Sequence, residues 1–498
     1  MTTLVPREPY SKEELHKLYP ENLQLQLVQV ILRHDWPYCN SARRLAQIAA
    51  SSEDLTTWDI FKWRRRMERF GENDQALMAV GPEGERSSLP GELTDEGRQS
   101  TYALGQRLRH LYVEQLGFMP KIKSNTDDMY LRTTPIPRAL ESLQQTFWGM
   151  YPPEARTANF PPPTIVARSP AEETLFPNEG NCHRFRQLAR LFAQRAANRW
   201  NESEEMDYLN SVWSKWMPSS SPRVAVDARP RLSGIMDTIN ATLAHGPGTR
   251  LPSEFYDPKA REYCDKIATD EWFAGYKESK EYRKLGIGAL VGDVVDRMVH
   301  ASVDGGWRPT TNEAGADGPA VKFALSGCHD TTIAGFLNSL GAFDGEGWPP
   351  YTSSIAVELF KFVERPIGAK PGDILEELNV PEPESQPKKK KPSSLMSMLF
   401  GKSSSPDMPQ PSEAARSPVS DLPSLRNHYV RIRYNDRPVR IPGCAAKPSN
   451  HLPGNDTFCT LEAFKNIADK FTPRNWHEEC GKNLDQGMFA EGDEPSGY

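Results

Sequence analysis

Five residues at three places in the chain carry side chains suited to binding and attacking a phosphoryl group. Arg33-His34 follows the run Leu25-Gln26-Leu27-Val28-Gln29-Val30-Ile31-Leu32, Arg132 lies in Met129-Tyr130-Leu131-Arg132-Thr133-Thr134, and Cys328-His329-Asp330 follows Val321-Lys322-Phe323-Ala324-Leu325-Ser326-Gly327. Guanidinium forks match phosphate oxygens in geometry as well as in charge. An imidazole held among such cations is a competent nucleophile toward phosphorus. Asp330 is placed to give a proton to a departing alcohol oxygen. Arginines can hold the transition-state charge by themselves, so the pattern calls for no metal and no cofactor. Taken singly, each residue has a plainer role. A surface salt bridge is the commonest fate of an arginine such as Arg132, His329 suits a core, and Asp330 suits the cap of a helix starting at Thr331.

The elements around these residues favour a common site. Alternation from Leu23 to Val28 merges into Val30-Ile31-Leu32 and predicts a strand entering a core, and the stretches at 128–134 and 321–327 predict two more. All three end on the candidate residues, at the edge where open α/β sheets hold ligands. Thr94 is a predicted N-cap with acids in the first turn, Leu104, Leu108, Leu111 and Tyr112 keep helical spacing, and Gly117 stops the helix. Pro137 suits a first helical position, which puts Arg132 at a strand-to-helix junction.

The remaining chain divides by composition. Residues 1–20 form a lead-in with a helix near Ser11 to Leu18; residues 21–151 and 308–363 read as an α/β core. Within that core 41–50 is predicted helical and 51–92 a long loop. Residues 152–307 hold a strand at 164–168 and helices at 183–200, 206–212, 231–244 and 285–303, a mostly helical cap. Residues 364–427 are rich in proline, serine and lysine and are expected to be disordered. Within them Lys388-Lys389-Lys390-Lys391 beside Leu395-Met396-Ser397-Met398-Leu399-Phe400 suits weak contact with an anionic membrane surface, although a solvated linker is the commoner fate. Core strands and a helix at 461–470 resume over 428–480, and 481–498 is expected to be a flexible tail.

Bulk properties narrow the classes. The 498 residues carry a formal charge of −6, with 38% hydrophobic and 25% charged residues, so a large core is available and nucleic acid is not favoured as a partner. No apolar run reaches the length of a membrane span. The first residues lack a secretory or transit pattern, which makes the cytoplasm the default expectation, with a mitochondrial location allowed by the resemblance below. Seven cysteines without paired spacing fit a reducing compartment and no metal cluster, although Cys444, Cys459 and Cys480 lie near enough in sequence for one bridge.

Against that background the motifs resemble those of the histidine phosphatase superfamily in its acid phosphatase branch. Leu-Val-Gln-Val-Ile-Leu-Arg33-His34 is similar to the start of the RHGxRxP signature, and Leu93-Thr94-Asp95-Glu96-Gly97 with Leu104-Gly105-Gln106-Arg107-Leu108-Arg109 to an LTxxG…LGxxLR helix. Leu131-Arg132-Thr133-Thr134…Arg138 resembles the strand-end arginine motif and Ser326-Gly327-Cys328-His329-Asp330 the HD motif. Glu172-Glu173-Thr174-Leu175-Phe176-Pro177-Asn178 and Phe343…Trp348-Pro349-Pro350 resemble the lysophosphatidic acid phosphatase type 6 subgroup.

The resemblance implies a phosphoglycerate mutase-like α/β fold, with a central mixed sheet flanked by helices, a helical cap and a disordered insertion. It implies metal-independent hydrolysis of small phosphate monoesters, lysophosphatidic acid among them, with His34 as phosphorylated nucleophile and Asp330 as proton donor. Arg33, Arg132 and His329 would bind phosphate. A mutase-like transferase is disfavoured, because the acid beside His329 suits an alcohol leaving group. One departure stands out: the signature needs Gly and Arg where this chain has Asp35 and Pro37. A carboxylate about 4 Å from a phosphate charge costs about 4 kcal/mol at an effective dielectric near 20. Either residues are lost between His34 and Asp35, or the chain is an impaired pseudo-phosphatase that binds phosphorylated ligands.

Overall fold

The computed structural model describes residues 8–34, 64–68, 93, 95–245, 251–303, 305–309, 318–364, 423–492 and 494–498. Their strands are β1 (Leu23–Arg33), β2 (Arg64–Glu68), β3 (Met129–Thr133), β4 (Thr164–Arg168), β5 (Phe323–Cys328), β6 (Ser354–Phe362), β7 (His428–Tyr434), β8 (Arg437–Pro438), β9 (His451–Leu452) and β10 (Asn455–Thr460). They form one mixed sheet in the order β2-β4-β3-β5-β1-β6-β7-β10-β9, with β8 on β7. From β2 to β1 the neighbours run parallel; from β1 onward they are antiparallel. β1 is the seam between the halves, buried on both faces. Leu27 and Ile31 enter one core, Val28, Val30 and Leu32 the other. That is why its alternation gives way to a continuous apolar run.

Helices α2 (Asp95–Arg109) and α3 (Pro137–Met150) cover one face. They touch backbone to backbone at two glycines, where a Cβ on Gly105 would stand 2.0 Å from the Thr146 carbonyl oxygen and one on Gly149 2.0 Å from that of Tyr102. The lead-in helix α1 (Lys12–Leu18) begins at Ser11 in a capping box closed by Glu14. The opposite face carries α8 (Ala289–Val303) and α9 (Asp330–Ser339), which stops where Gly341 takes a φ of +66°. The closing helix, α10, spans Leu461–Asp469.

The cap is built from α4 (His183–Trp200), α5 (Glu204–Trp213), α6 (Leu232–His245) and α7 (Pro258–Glu278) around their own apolar cluster. The sequence reading lacks α7, the longest of them. Its first half packs Ala260, Cys264, Ile267 and Ala268 into the cap core, while Phe273 and Tyr276 enter the sheet core. A helix that changes partners midway shows no single apolar stripe.

Other expectations also shift. β4 is a full member of the sheet, so the cap starts beyond the expected boundary at 152. Part of the expected 51–92 loop is the edge strand β2, paired in parallel with β4. The end of the chain is tied down rather than frayed. Arg184 donates to the carbonyls of Gln486 and Gly487 at 2.9 and 2.7 Å, Ser279 to that of Met488 at 3.1 Å and Arg283 to that of Glu494 at 2.6 Å. Two disulfides form: Cys444–Cys459, within the one bridge the spacing allowed, and Cys182–Cys480, which joins segments 298 positions apart and departs from the expected reduced thiols. The expected helix at 41–50, the N-cap at Thr94 and most of 364–427 lie outside the described residues. Among the described residues no helix is long and apolar enough to cross a membrane.

Candidate active site

Parallel pairing of β1 with β5 sets Arg33 opposite Cys328, and the His34 N–H donates to the Cys328 carbonyl at 2.9 Å. The next side chains, His34 and His329, meet edge to face with ring centres 5.1 Å apart. β3 pairs with the other side of β5, placing Thr133 opposite Gly327. Gly327 permits α3 to approach, since a Cβ there would lie 2.5 Å from the Ala139 carbonyl oxygen. That approach brings Arg138, in the first turn of α3, within reach of the histidines: its Nε donates to His34 Nε2 at 2.9 Å. A nitrogen accepting from a guanidinium holds its lone pair there, so this contact assigns the ring proton to Nδ1.

Arg33 is the hub on the other side. Its Nη2 lies 2.8 Å from Asp330 Oδ2, its Nη1 donates to the Pro349 carbonyl, and its guanidinium stands 4.1 Å from the centre of the Tyr351 ring. Asp330 also accepts from Trp348 Nε1 at 3.0 Å and from the Thr331 N–H at 2.7 Å. Asp330 faces the site, but it is the first residue of α9 rather than its cap: the N-cap position, expected at Asp330, is taken by His329, in a capping box with Thr332. Burial pushes its pKa up, but Arg33, the Trp348 indole, His329 and the Thr331 amide together hold the carboxyl below its ordinary value. His329 behaves oppositely. Burial, with the cations Arg138 and Arg33 nearby, outweighs Asp330 and pushes the imidazole down to about 3. Its Nε2 lies 3.1 Å from Thr134 Oγ1.

Arg132 is fully buried in a charged lattice of its own. Nη1 donates to Asp293 at 3.1 Å, and Nη2 to Glu173 at 2.8 Å and Thr174 at 2.9 Å. Asp293 on α8 also takes Arg168 at 3.2 Å and approaches Arg297 at 4.0 Å. Burial alone would raise its pKa; Arg168, Arg132 and Arg297 overcome this and lower it. The structure thus groups Arg33, His34, His329 and Asp330 tightly, and pairs Arg132, opposite Ser326 on β5, with Asp293 and Glu173. Arg138 belongs to the arginine motif, yet sequence reasoning gives it no role; its place six positions after Arg132, just inside a helix start, is the signal that marks it. Asp35 and Pro37 lie outside the described residues. Among the described residues no group of three or more His, Cys, Asp or Glu side chains is arranged to hold a metal.

Comparisons with known proteins bear on this arrangement. Residues 24–365 match the histidine phosphatase superfamily (branch 2). The chain is 35% identical over 482 residues to a protein named "Probable acid phosphatase" in Schizosaccharomyces pombe, covering 93% of this chain and 95% of that one. It is 26% identical over 278 residues to the human lysophosphatidic acid phosphatase type 6, covering 55% of this chain and 58% of that protein. The fold is similar to that of Hafnia alvei phytase in complex with tartrate, at a TM-score of 0.51 and 12% identity over 93% of this chain and 99% of that one.

Proposed function

The chain belongs to the histidine phosphatase superfamily (branch 2), and we propose that it hydrolyses phosphate monoesters without a metal, through a phosphohistidine at His34. The observation that carries this is the pair of facing imidazoles, 5.1 Å apart, with Arg138 on His34 and Arg33 on Asp330. In the free protein Arg138 aims the His34 lone pair. When a phosphate monoester enters, Arg138 shifts its hydrogen bond from His34 Nε2 to a phosphate oxygen, and the freed Nε2 lone pair attacks phosphorus. The P–O ester bond breaks, and Asp330, whose depressed carboxyl first takes a proton from the entering phosphate monoanion, gives that proton to the leaving oxygen. Water then attacks the phosphohistidine, Asp330 takes its proton, and inorganic phosphate leaves with His34 restored. Arg33, Arg132 and neutral His329 hold the phosphate oxygens, Arg132 by sharing its forks between the phosphate and its carboxylate partners. Because two human and fission-yeast relatives carry phosphatase names, one of them specifying lysophosphatidic acid, an acylglycerol monophosphate is the first substrate to assay.

Alkaline-quench labelling with a ³²P-labelled monoester is expected to leave base-stable, acid-labile label on wild-type protein and none on His34→Ala. Turnover with no label on His34 would remove the phosphohistidine. One sequence feature favours a second reading. Asp35 and Pro37 stand where the family signature has Gly and Arg, which suits a chain that binds phosphorylated ligands with little turnover. Hydrolysis by the unaltered chain at rates comparable to one with a restored RHGxRxP segment would eliminate that reading.

A further inference from the structure

Asp237 reaches the site from the cap. On α6 its neighbours Leu232, Ile235, Met236 and Ile239 are buried in the cap core, whereas Asp237 is exposed on the side of Tyr351. Its Oδ1 accepts from the Tyr351 hydroxyl at 3.3 Å. The Tyr351 ring lies against the Arg33 guanidinium, which in turn holds Asp330. Tyr351, from the loop before β6, touches it directly, and the charges of Arg33 on β1, Asp330 on α9 and Arg138 on α3 act on its carboxyl. Since Asp330 is the acid that must meet the leaving oxygen, a second carboxyl on the Arg33–Asp330 side stands where the leaving group lies. Nothing in the phosphohistidine chemistry uses it.

We propose that Asp237 is a specificity-determining residue that selects monophosphate esters of neutral, hydroxyl-bearing alcohols and rejects leaving groups carrying a second phosphate. The carboxylate accepts hydrogen bonds from leaving-group hydroxyls and repels another anion. This rests on the phosphatase reading above. Desolvation raises the Asp237 pKa, and Asp330 adds to the rise, against the pull of Arg33, the Tyr351 hydrogen bond and Arg138. The selectivity therefore weakens on acidification, at a higher pH than for an ordinary carboxylate.

Asp237→Asn keeps an acceptor for Tyr351 and removes only the charge. Relative kcat/KM for fructose 1,6-bisphosphate against glycerol 3-phosphate is expected to rise about tenfold in this variant near neutral pH, the size of one screened charge pair. The difference from wild type shrinks as the pH falls and the wild-type carboxyl gains its proton. Tyr351→Phe, which removes the hydroxyl and keeps the ring on Arg33, is expected to leave the ratio unchanged. If Asp237 only anchors Tyr351, Asp237→Asn will leave the ratio at the wild-type value and the inference falls. Calorimetric binding of inorganic phosphate and of myo-inositol hexakisphosphate to both chains reads the same selectivity without turnover. Absence of hydrolysis would then overturn the catalytic reading, while equal binding ratios in the two chains would overturn the role of Asp237.

Discussion

Arg138 donates to the ring nitrogen that attacks, so its loss is a test of aim more than of charge. Arg138→Lys keeps a cation on a stem that cannot reproduce the planar donor, and kcat is expected to fall about 10²-fold, as for misplacement of a reacting group. KM should change less, which steady-state kinetics would show. Trp348 offers a second probe. Its indole N–H stabilises the charged form of Asp330, and its own backbone N–H is held by Asp265 at 3.1 Å. Trp348→Phe removes the donor, so the Asp330 pKa rises. Since the donor must be protonated for the first step, the alkaline limb of the kcat profile is expected to move up by about one pH unit, as loss of a charge-assisted hydrogen bond implies. An unmoved limb would take the donor role away from Asp330. His329 gives a stability test instead. Its folded pKa of about 3 lies below the ordinary 6.5, so in that window the unfolded chain binds a proton that the folded chain refuses. Stability therefore rises with pH between these values, and denaturant midpoints for His329→Gln are expected to lose that slope.

At the level of elements, the site depends on how closely α2 and α3 stand under the parallel half of the sheet. Gly105 and Gly149 let the two backbones touch, and α3 then reaches Gly327 with Arg138 at its start. Gly105→Ala would force the helices apart. It is expected to cost about 1–3 kcal/mol, read as a lower urea midpoint, and to lower kcat by displacing Arg138. These elements were readable beforehand. The strand β1, the strand-end residues of β3 and β5, and the Pro137 helix start all have local signals: alternation, apolar runs and a proline at a first turn. α7 and β2 were not, because one divides its apolar side chains between two cores and the other, Arg-Arg-Arg-Met-Glu at the sheet edge, has no apolar alternation in its sequence.

For the molecule as a whole, the end of the chain acts as a strap across the cap. Cys182 at the start of α4 is bonded to Cys480, Arg184 beside it grips residues 486 and 487, and Gly497 accepts from the Gly443 N–H at 2.7 Å. The bridge closes a loop of 298 residues. Cys480→Ser is expected to lower stability by about 2–5 kcal/mol. A scan of the oxidised protein against the variant would show it, and a thermal midpoint insensitive to the substitution would mean the bridge does not form.

Residue order alone determined which side chains could do chemistry and that each sits at a strand tip, because strand length and helix starts are local properties of the chain. It implied the family through the same short motifs. Four things depended on tertiary structure. The imidazoles face each other because β1 and β5 are neighbours, although they lie about 300 positions apart in sequence. Arg138 reaches His34, Arg132 is turned toward Asp293 and Glu173, and Asp237 looks into the site from the cap. Strand order, helix approach and cysteine pairing all join distant segments, and no local pattern records which distant segment a side chain will meet.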